Sequence, residues 1–519
     1  MEVKNPFGFQ LTVQGIVETY QEQVKRELPK WQALLSQDGR QLRHIEEAIL
    51  DFCRQQACYL TAAVLCAPGV QRGVAGQAGR VQAEAGKTHR RRYRCGRSVR
   101  FLCGLVVNMV LTYSAAKPKR RAGVARGIGR RGKEGAGLYP VWALLGIHEG
   151  ISPALESEAG RMAVLLPSNR AARQELNRRG AGLSENTLRR VVLGLGMQAL
   201  SARKDQLDRW RRGEVPVGQE LAGKRVVVAI DGGRTRLREA RKGRRTRRGR
   251  RRYHTPWREP KLLVIYVLDE TGRMDRAKPA LIDGTFLGPD HLMELAAYHL
   301  HRLGAVKAQR VEFVADGADW IWDRIDRIIA LVGLSKQQVR RAVDIYHVME
   351  QINRALETIR GWTPAVRKQR RAKLKSLLLK SKVEEVVRYL EALGRKTKSK
   401  GVKACVGYIR KRAHLMDYQT LRRAKLPIGS GAVESAVRRV INMRLKGPGI
   451  FWLADSAEAM LYLRAQELSG RWEEMLQSIQ ERAGRSRTRT YRWEPTPMSI
   501  KKPGPGEMAV LKQVEGIPA

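Results

Sequence analysis

The sequence predicts an α/β chain with a mixed-sheet core and helical, basic regions around it. Three observations carry this. Apolar runs of strand length, VVVAID (226–231), KLLVIYVLDE (261–270) and RVEFVADG (310–317), fall within one region. Three strands come first there, and then helix and strand alternate, the order expected of an α/β layer with a mixed sheet. Finally, 99 Lys+Arg stand against 50 Asp+Glu, a formal net charge of +49. That balance is too basic for an ordinary cytosolic enzyme and points to a polyanionic partner, nucleic acid before an anionic membrane surface.

A length of 519 residues predicts roughly three domains. Residues 1–66 read as a helical module, because LTVQGIVETYQEQVKRELPKWQALL and LRHIEEAILDFCRQQACYLTAAVL repeat apolar residues at three- and four-residue steps. This module could serve oligomerisation. Residues 67–149 form a basic Gly/Arg-rich segment. Its 117–133 stretch holds eight Lys/Arg in seventeen positions and no acid, either a solvated linker or a contact to a DNA backbone. Residues 150–221 return to helical patterning. AARQELNRRG and AGLSENTLRRVVLGLG read as two short helices about a Gly180–Gly182 break, with Ser184 as N-cap and Arg189 and Arg190 exposed. They form either a DNA-reading helix-turn-helix or a plain helical hairpin.

From 222 to 347 strands dominate. Beyond the three runs above, RAKPALI (276–282) and RAVDIYH (341–347) read as strands, with Pro279 placing the former at an edge or shortening it. HLMELAAYHLHRLG (291–304) and DWIWDRIDRIIALVG (319–333) read as helices. Residues 348–425 are helical with basic surfaces, 426–468 return to the core, and 469–519 form a C-terminal tail. No apolar stretch reaches the ~20 residues of a bilayer span. The N-terminal MEVKNPFGFQ lacks the features of a secretory signal. Six cysteines exclude a disulfide scaffold, so a reducing, cytoplasmic setting beside the nucleoid is expected.

Two acids stand at strand ends, Asp231 in VVVAIDGG and Asp316 in VEFVADG, each followed by glycine that lets the chain turn and leaves the carboxylate open. On neighbouring strands they would repel unless a cation lay between them, and Mg²⁺, replaceable by Mn²⁺, suits hard oxygen ligands. A third acid would complete a two-metal site for attack on a phosphodiester. Glu434, in the first turn of a helix that Ser430 would cap, has the best context among several acids, with Arg438, Arg439 and Lys446 following. His347, at a strand–helix junction beside Asp344, is either structural or a contact to a phosphate or carboxylate. Trp320 and Trp322 read as core. Residues 234–252 hold twelve Lys/Arg and one Glu, Arg244, Arg245, Arg247, Arg248, Arg250, Arg251 and Arg252 among them. This turn between the first two strands is a solvated loop or a clamp on DNA that orders on binding.

AIDGGR, VADGADW, DIYH and PIGSGAVES with a downstream RLKGPGIFW resemble the insertion-sequence DDE transposases, most closely the ISKra group, related to the Mutator-like transposases. The resemblance covers about 225–467 well and 150–215 loosely. It implies an RNase H-like catalytic core, interrupted by an all-α insertion between His347 and Leu426. It also implies Asp231, Asp316 and Glu434 as the metal-binding triad, with Asp344 and His347 matching a motif of acid, two residues and His. The activity it implies is cleavage at element ends in double-stranded DNA and joining of the 3′-OH to a target, by a homo-oligomer. Relatives tend to carry a zinc-ribbon-like segment of paired Cys-x-x-Cys. Here only Cys95 and Cys103 stand in that region, and no CxxC occurs.

Overall fold

The computed structural model describes residues 1–85, 89–116 and 137–482. The basic run at 117–133 and most of 469–519 lie outside them. The described residues divide into two units, Met1–Ala202 with 473–482, and Arg203–Trp472.

The first unit opens with helices Val13–Gln37 and Leu42–Cys66, as the apolar spacing predicts. The 67–149 segment departs from expectation. It contains a helix, Pro68–Ala85, and an antiparallel hairpin, His89–Arg100 with Val106–Ala116, to which Glu2–Val3 adds a third strand. The reason is the alternation of Val107, Met109 and Leu111, all buried against Val99 and Leu105. One apolar face is enough to hold a hairpin whose other face is arginine-rich. Next come helices Pro153–Leu165, Asn169–Arg178 and Glu185–Arg211. Ser184 does accept the Thr187 N–H as an N-cap. The helix it starts is 27 residues long rather than short.

The second unit is built on a five-stranded sheet of β1 (Arg225–Gly232), β2 (Lys261–Val267), β3 (Leu281–Thr285), β4 (Arg310–Ala315) and β5 (Val339–Val343). Their order across the sheet is β3-β2-β1-β4-β5. The first three pair antiparallel, whereas β4 runs parallel to both β1 and β5. The mixed sheet is therefore as predicted. The third strand lies at an edge and starts two residues beyond Pro279, so the predicted run 276–282 is shortened at its start, where Pro279 lacks the N–H a ladder needs. Between β2 and β3, Asp269 accepts N–H bonds from Thr271 and Arg273, and Gly272 takes a φ of 87° where a side chain would strike Lys425.

Helices α1 (Pro289–Leu303) and α2 (Asp319–Val332) cover one face. Their Leu292, Leu295, Ile321, Ile325 and Ile328 pack with Val226, Val228, Ile230, Val311 and Phe313 of the sheet. Both end on a left-handed glycine, Gly304 and Gly333. Helices α3 (Ile345–Glu357), α4 (Pro364–Leu379), α5 (Val383–Thr397) and α6 (Lys400–Arg412) follow β5 and pack on one another, with no strand between them. The short helix α7 (Gly431–Ala436) then returns to β1 and β2, and α8 (Ala454–Leu468) to β3. Among the described residues no helix is long and apolar enough to cross a membrane.

One polar group sits in the sheet without compensation. Glu312, in the middle of β4, is fully buried and neither carboxylate oxygen has a hydrogen-bond partner. Burial pushes its carboxyl up to about 9. The folded value lies above the unfolded one, so the fold is unpenalised below the unfolded value and loses stability as pH rises toward the folded value. At pH 7 this costs ~3 kcal/mol. Glu312→Leu is therefore expected to raise stability by an amount that grows between pH 5 and 8, measured by urea denaturation beside the wild type. A gain independent of pH would show that titration is not its source.

Candidate metal and phosphate site

Three acids stand side by side at the carboxyl ends of three parallel strands. Ala315 pairs with Ile230 on one side and with Val343 on the other. Asp316 thus follows β4 directly between Asp231, at the end of β1, and Asp344, just beyond β5. The Asp344 N–H continues the ladder to the Ala315 carbonyl at 2.8 Å. This is the edge of an α/β sheet at which ligands gather. The neighbouring strands expected for Asp231 and Asp316 are present.

The flanking glycines serve a different purpose from the one predicted. Gly232, Gly233 and Gly317 do not take left-handed φ values, and Gly232 still belongs to β1. A Cβ would meet Glu259 at Gly232, Ile441 at Gly233 and Tyr408 at Gly317. They permit close approach rather than a turn. Asp316 is braced by its surroundings. Its carboxylate accepts the Ala318 N–H at 2.9 Å, and its carbonyl accepts the Trp322 indole N–H at 2.7 Å. Arg412 of α6 donates to the next carbonyl, Gly317, at 2.7 Å. Trp320 and Trp322 pack beside the core, as expected, and Trp320 carries Lys261 over its ring at 4.2 Å.

Glu434 arrives from the other side. It sits in the first turn of α7, exposed, after a turn held by Asp344. Ser430 was expected to cap this helix. Instead its hydroxyl and its N–H both donate to Asp344, at 2.5 and 2.7 Å. The other Asp344 oxygen accepts the Tyr346 N–H at 2.6 Å. Asp344 is buried, and its role in fixing the Glu434 turn could not be read from its neighbours in the chain. Burial pushes its carboxyl up, but His347, Ser430 and Tyr346 outweigh this and leave it below the usual carboxylate range.

His347 lies on α3 one turn beyond Asp344, with Nδ1 3.5 Å from the carboxylate. The Asp344 carboxylate draws the imidazole up to about 9, against the effect of burial. The carboxylate that His347 meets is that of Asp344, three residues before it, at ion-pair rather than hydrogen-bond distance. Asp344, His347 and Glu434 each place one ligand atom within 4.8 Å of the others, a group able to hold a metal ion. Asp231 belongs to the same electrostatic cluster. Burial pushes its carboxyl up to about 6, and the charges of Asp316 and Glu434 push the same way. The Gly232 N–H and His347 oppose them. Such crowding is relieved when a cation shares the acids.

The basic residues distribute unevenly. Arg438 and Arg439 are exposed on a π-helical turn, Val437–Asn442, that follows α7 directly. Lys446 is not on that helix. It lies beyond it, with Nζ 6.0 Å from the centre of the Trp257 ring. Residues 234–258 are not an unpaired loop. Thr235–Arg236 pairs with Trp257–Arg258, and Glu239–Ala240 with Tyr253–His254, so β1 and β2 extend outward as a two-stranded ribbon. Arg244, Arg245, Arg247, Arg248, Arg250, Arg251 and Arg252 are all exposed at its tip. In the first unit Arg189 and Arg190 are exposed, and Arg190 pairs with Glu149. Among the described residues the N-terminal cysteines form no metal-ligand group with other Cys, His, Asp or Glu.

No family model, curated protein or solved structure matches this chain.

Proposed function

We propose that this chain is a Mg²⁺-dependent DNA transposase with an RNase H-like core, cleaving element ends and joining the 3′-OH to target DNA. The observation that carries it is the placing of Asp231 and Asp316 at adjacent parallel strand ends, with Glu434, from a distant helix, near enough for its charge to act on Asp231. An antiparallel meander passing into a parallel half-sheet supports the RNase H-like assignment, and α3–α6 supply the helical insertion. The donor set fits the metal. Asp231, Asp316 and Glu434 offer hard oxygen ligands, and the charges of Asp316 and Glu434 add to burial in raising the Asp231 carboxyl. Asp344 accepts three hydrogen bonds that orient the turn before Glu434, and it also keeps an oxygen within 4.8 Å of ligand atoms of His347 and Glu434. Bound there, Mg²⁺ would activate an attacking water or 3′-hydroxyl and stabilise the departing oxygen. The chain's own part is positional. Trp322 and Ala318 fix Asp316, Asp344 fixes the turn before Glu434, and His347 would face a phosphate bound at the cluster. The net charge and the ribbon favour a DNA backbone as the partner.

The test is incubation of the protein with Mg²⁺ and duplex DNA carrying the sequences that flank its gene, scored for nicks and joined products. Nicks without joining would reduce the activity to that of a nuclease. Binding without nicks would leave a DNA-binding derivative.

Affinity for duplex DNA is expected to fall steeply with salt, because each phosphate contact releases counterions. Replacing Arg244, Arg245, Arg247, Arg248, Arg250, Arg251 and Arg252 by Ala should flatten the plot of log affinity against log salt and weaken all sequences alike. An unchanged slope would make the ribbon tip solvated charge only.

A further inference from the structure

The ribbon has two chemically different faces. Thr235 and Leu237 point inward and are buried, and the Thr235 hydroxyl donates to the Leu445 carbonyl at 2.6 Å. Glu239 shares that parity and pairs with His254 and Arg258. Arg234, Arg236, Arg238 and Ala240 alternate outward and are exposed. Arg236 lies opposite Trp257, and Ala240 opposite Tyr253, so both rings share this outer face. Trp257 is 47% and Tyr253 46% exposed. Each carries a guanidinium over its ring, Arg236 at 4.7 Å from the Trp257 centre and Arg238 at 4.2 Å from the Tyr253 centre.

Charge alone would serve a phosphate backbone. Two half-exposed aromatic rings, each with an arginine over one face, add nothing to phosphate binding by charge. Rings alternating with arginines are the chemistry of base stacking, which acts on bases whose faces are free. Bases inside a duplex already cover each other's faces. The two rings are four residues apart on one strand, about 13 Å, wider than the 3.4 Å step of stacked duplex bases. Trp257 is also four residues from Lys261, the partner of Gly232 beside Asp231.

We propose that the outer face of this ribbon, with Trp257 and Tyr253 as its rings, is a stacking platform for unpaired bases, so that the DNA at the carboxylate site is single-stranded or locally melted. This rests on the reading of the site as a DNA-processing one and names the form of DNA it takes.

The test measures binding by fluorescence anisotropy in EDTA, where no cleavage is needed. The probes are a labelled strand of about 20 thymidines and a fully paired duplex of equal length. Trp257→Ala and Tyr253→Ala are each expected to weaken single-strand binding about tenfold, and the double variant about 100-fold. Duplex affinity and its salt slope should stay at wild-type values, because no charge is removed. Trp257→Phe, which keeps a ring, should retain most of the affinity and guards against misfolding as the cause. Unchanged single-strand affinity in the double variant overturns the platform, as does an equal loss for strand and duplex. Loss confined to the single strand in a protein that never cleaves keeps the platform and retires the transposase. Mg²⁺-dependent cleavage with single-strand binding untouched in both variants does the reverse.

Discussion

Asp231→Asn, Asp316→Asn and Glu434→Gln are each expected to lower Mg²⁺-dependent DNA cleavage by roughly three orders of magnitude or more, while DNA binding in EDTA persists. Each change removes one charge of the proposed ligand set and keeps the side chain's shape. None touches the basic ribbon. The three losses should not add, because the ligands act as a unit: a double variant should be about as inactive as either single one. Glu350, Glu384 and Glu385, on helices of the excursion, are the competitors to Glu434, and Ala at each should be nearly silent. Glu350 and Glu385 are already paired with Arg354 and Lys382 on the surface. The measurement is the nicking rate of an end-labelled duplex, with Mg²⁺ affinity by calorimetry alongside. Asp344→Asn separates two arrangements. If metal binding survives in Asp344→Asn and fails in Asp231→Asn, the ions are held by the strand-end pair and Glu434. The opposite outcome places the ion among Asp344, His347 and Glu434, and removes Asp231 from the ligand set.

Arg203→Met is expected to destabilise the second unit by roughly 3–5 kcal/mol. Arg203 is 3% exposed and donates to Asp283 at 2.8 Å and to Glu458 at 3.0 Å. Asp283 also meets His299 at 2.8 Å. Glu458, from α8, accepts the Thr285 hydroxyl at 2.8 Å and the Phe286 N–H at 2.6 Å. Burial alone would push the Asp283 carboxyl up, but the Arg203 charge and His299 outweigh it and hold it below the usual range. Removing the guanidinium leaves two buried carboxylates with less compensation, and that imbalance is the source of the cost. A triple variant, Arg203→Met with Asp283→Leu and Glu458→Leu, should recover part of the loss. A single variant that melts within about 0.5 kcal/mol of the wild type would show that the network contributes little.

The sequence made the sheet legible because its strands are apolar on both faces, and such runs announce themselves. Asp231 and Asp316 were legible for the same reason: each acid ends an apolar run. Parity defeated the reading of the glycines, since close approach by Tyr408 or Ile441 depends on partners far along the chain. Distance hid Asp344 as well. Its bonds to Ser430 span 86 positions, and no local pattern distinguishes a strand-end acid that holds a remote turn from one that faces solvent. The ribbon was hidden by composition. Twelve basic residues mask the alternation of Thr235, Leu237 and Glu239 with Arg236 and Arg238, which becomes plain once Trp257 and Tyr253 stand opposite. The hairpin at 89–116 was obscured similarly by the arginines of its first strand.

The separation of Glu434 from Asp316 has a consequence for the timing of synthesis. About 120 residues, mostly helical but including β5, lie between the two acids, and at ribosomal speeds that takes roughly 6–24 s. During this interval Asp231 and Asp316 can already pair on their strands, but the turn that presents Glu434 does not yet exist. Asp344 emerges early and waits for Ser430. The carboxylate cluster is therefore completed only after the helical excursion has been made and α7 has docked on β1 and β2. On the proposed reading, a nascent chain would hold nucleic acid through its basic ribbon long before it could assemble the three-acid centre. A ribosome-bound truncation ending before residue 426 should accordingly bind DNA without cutting it.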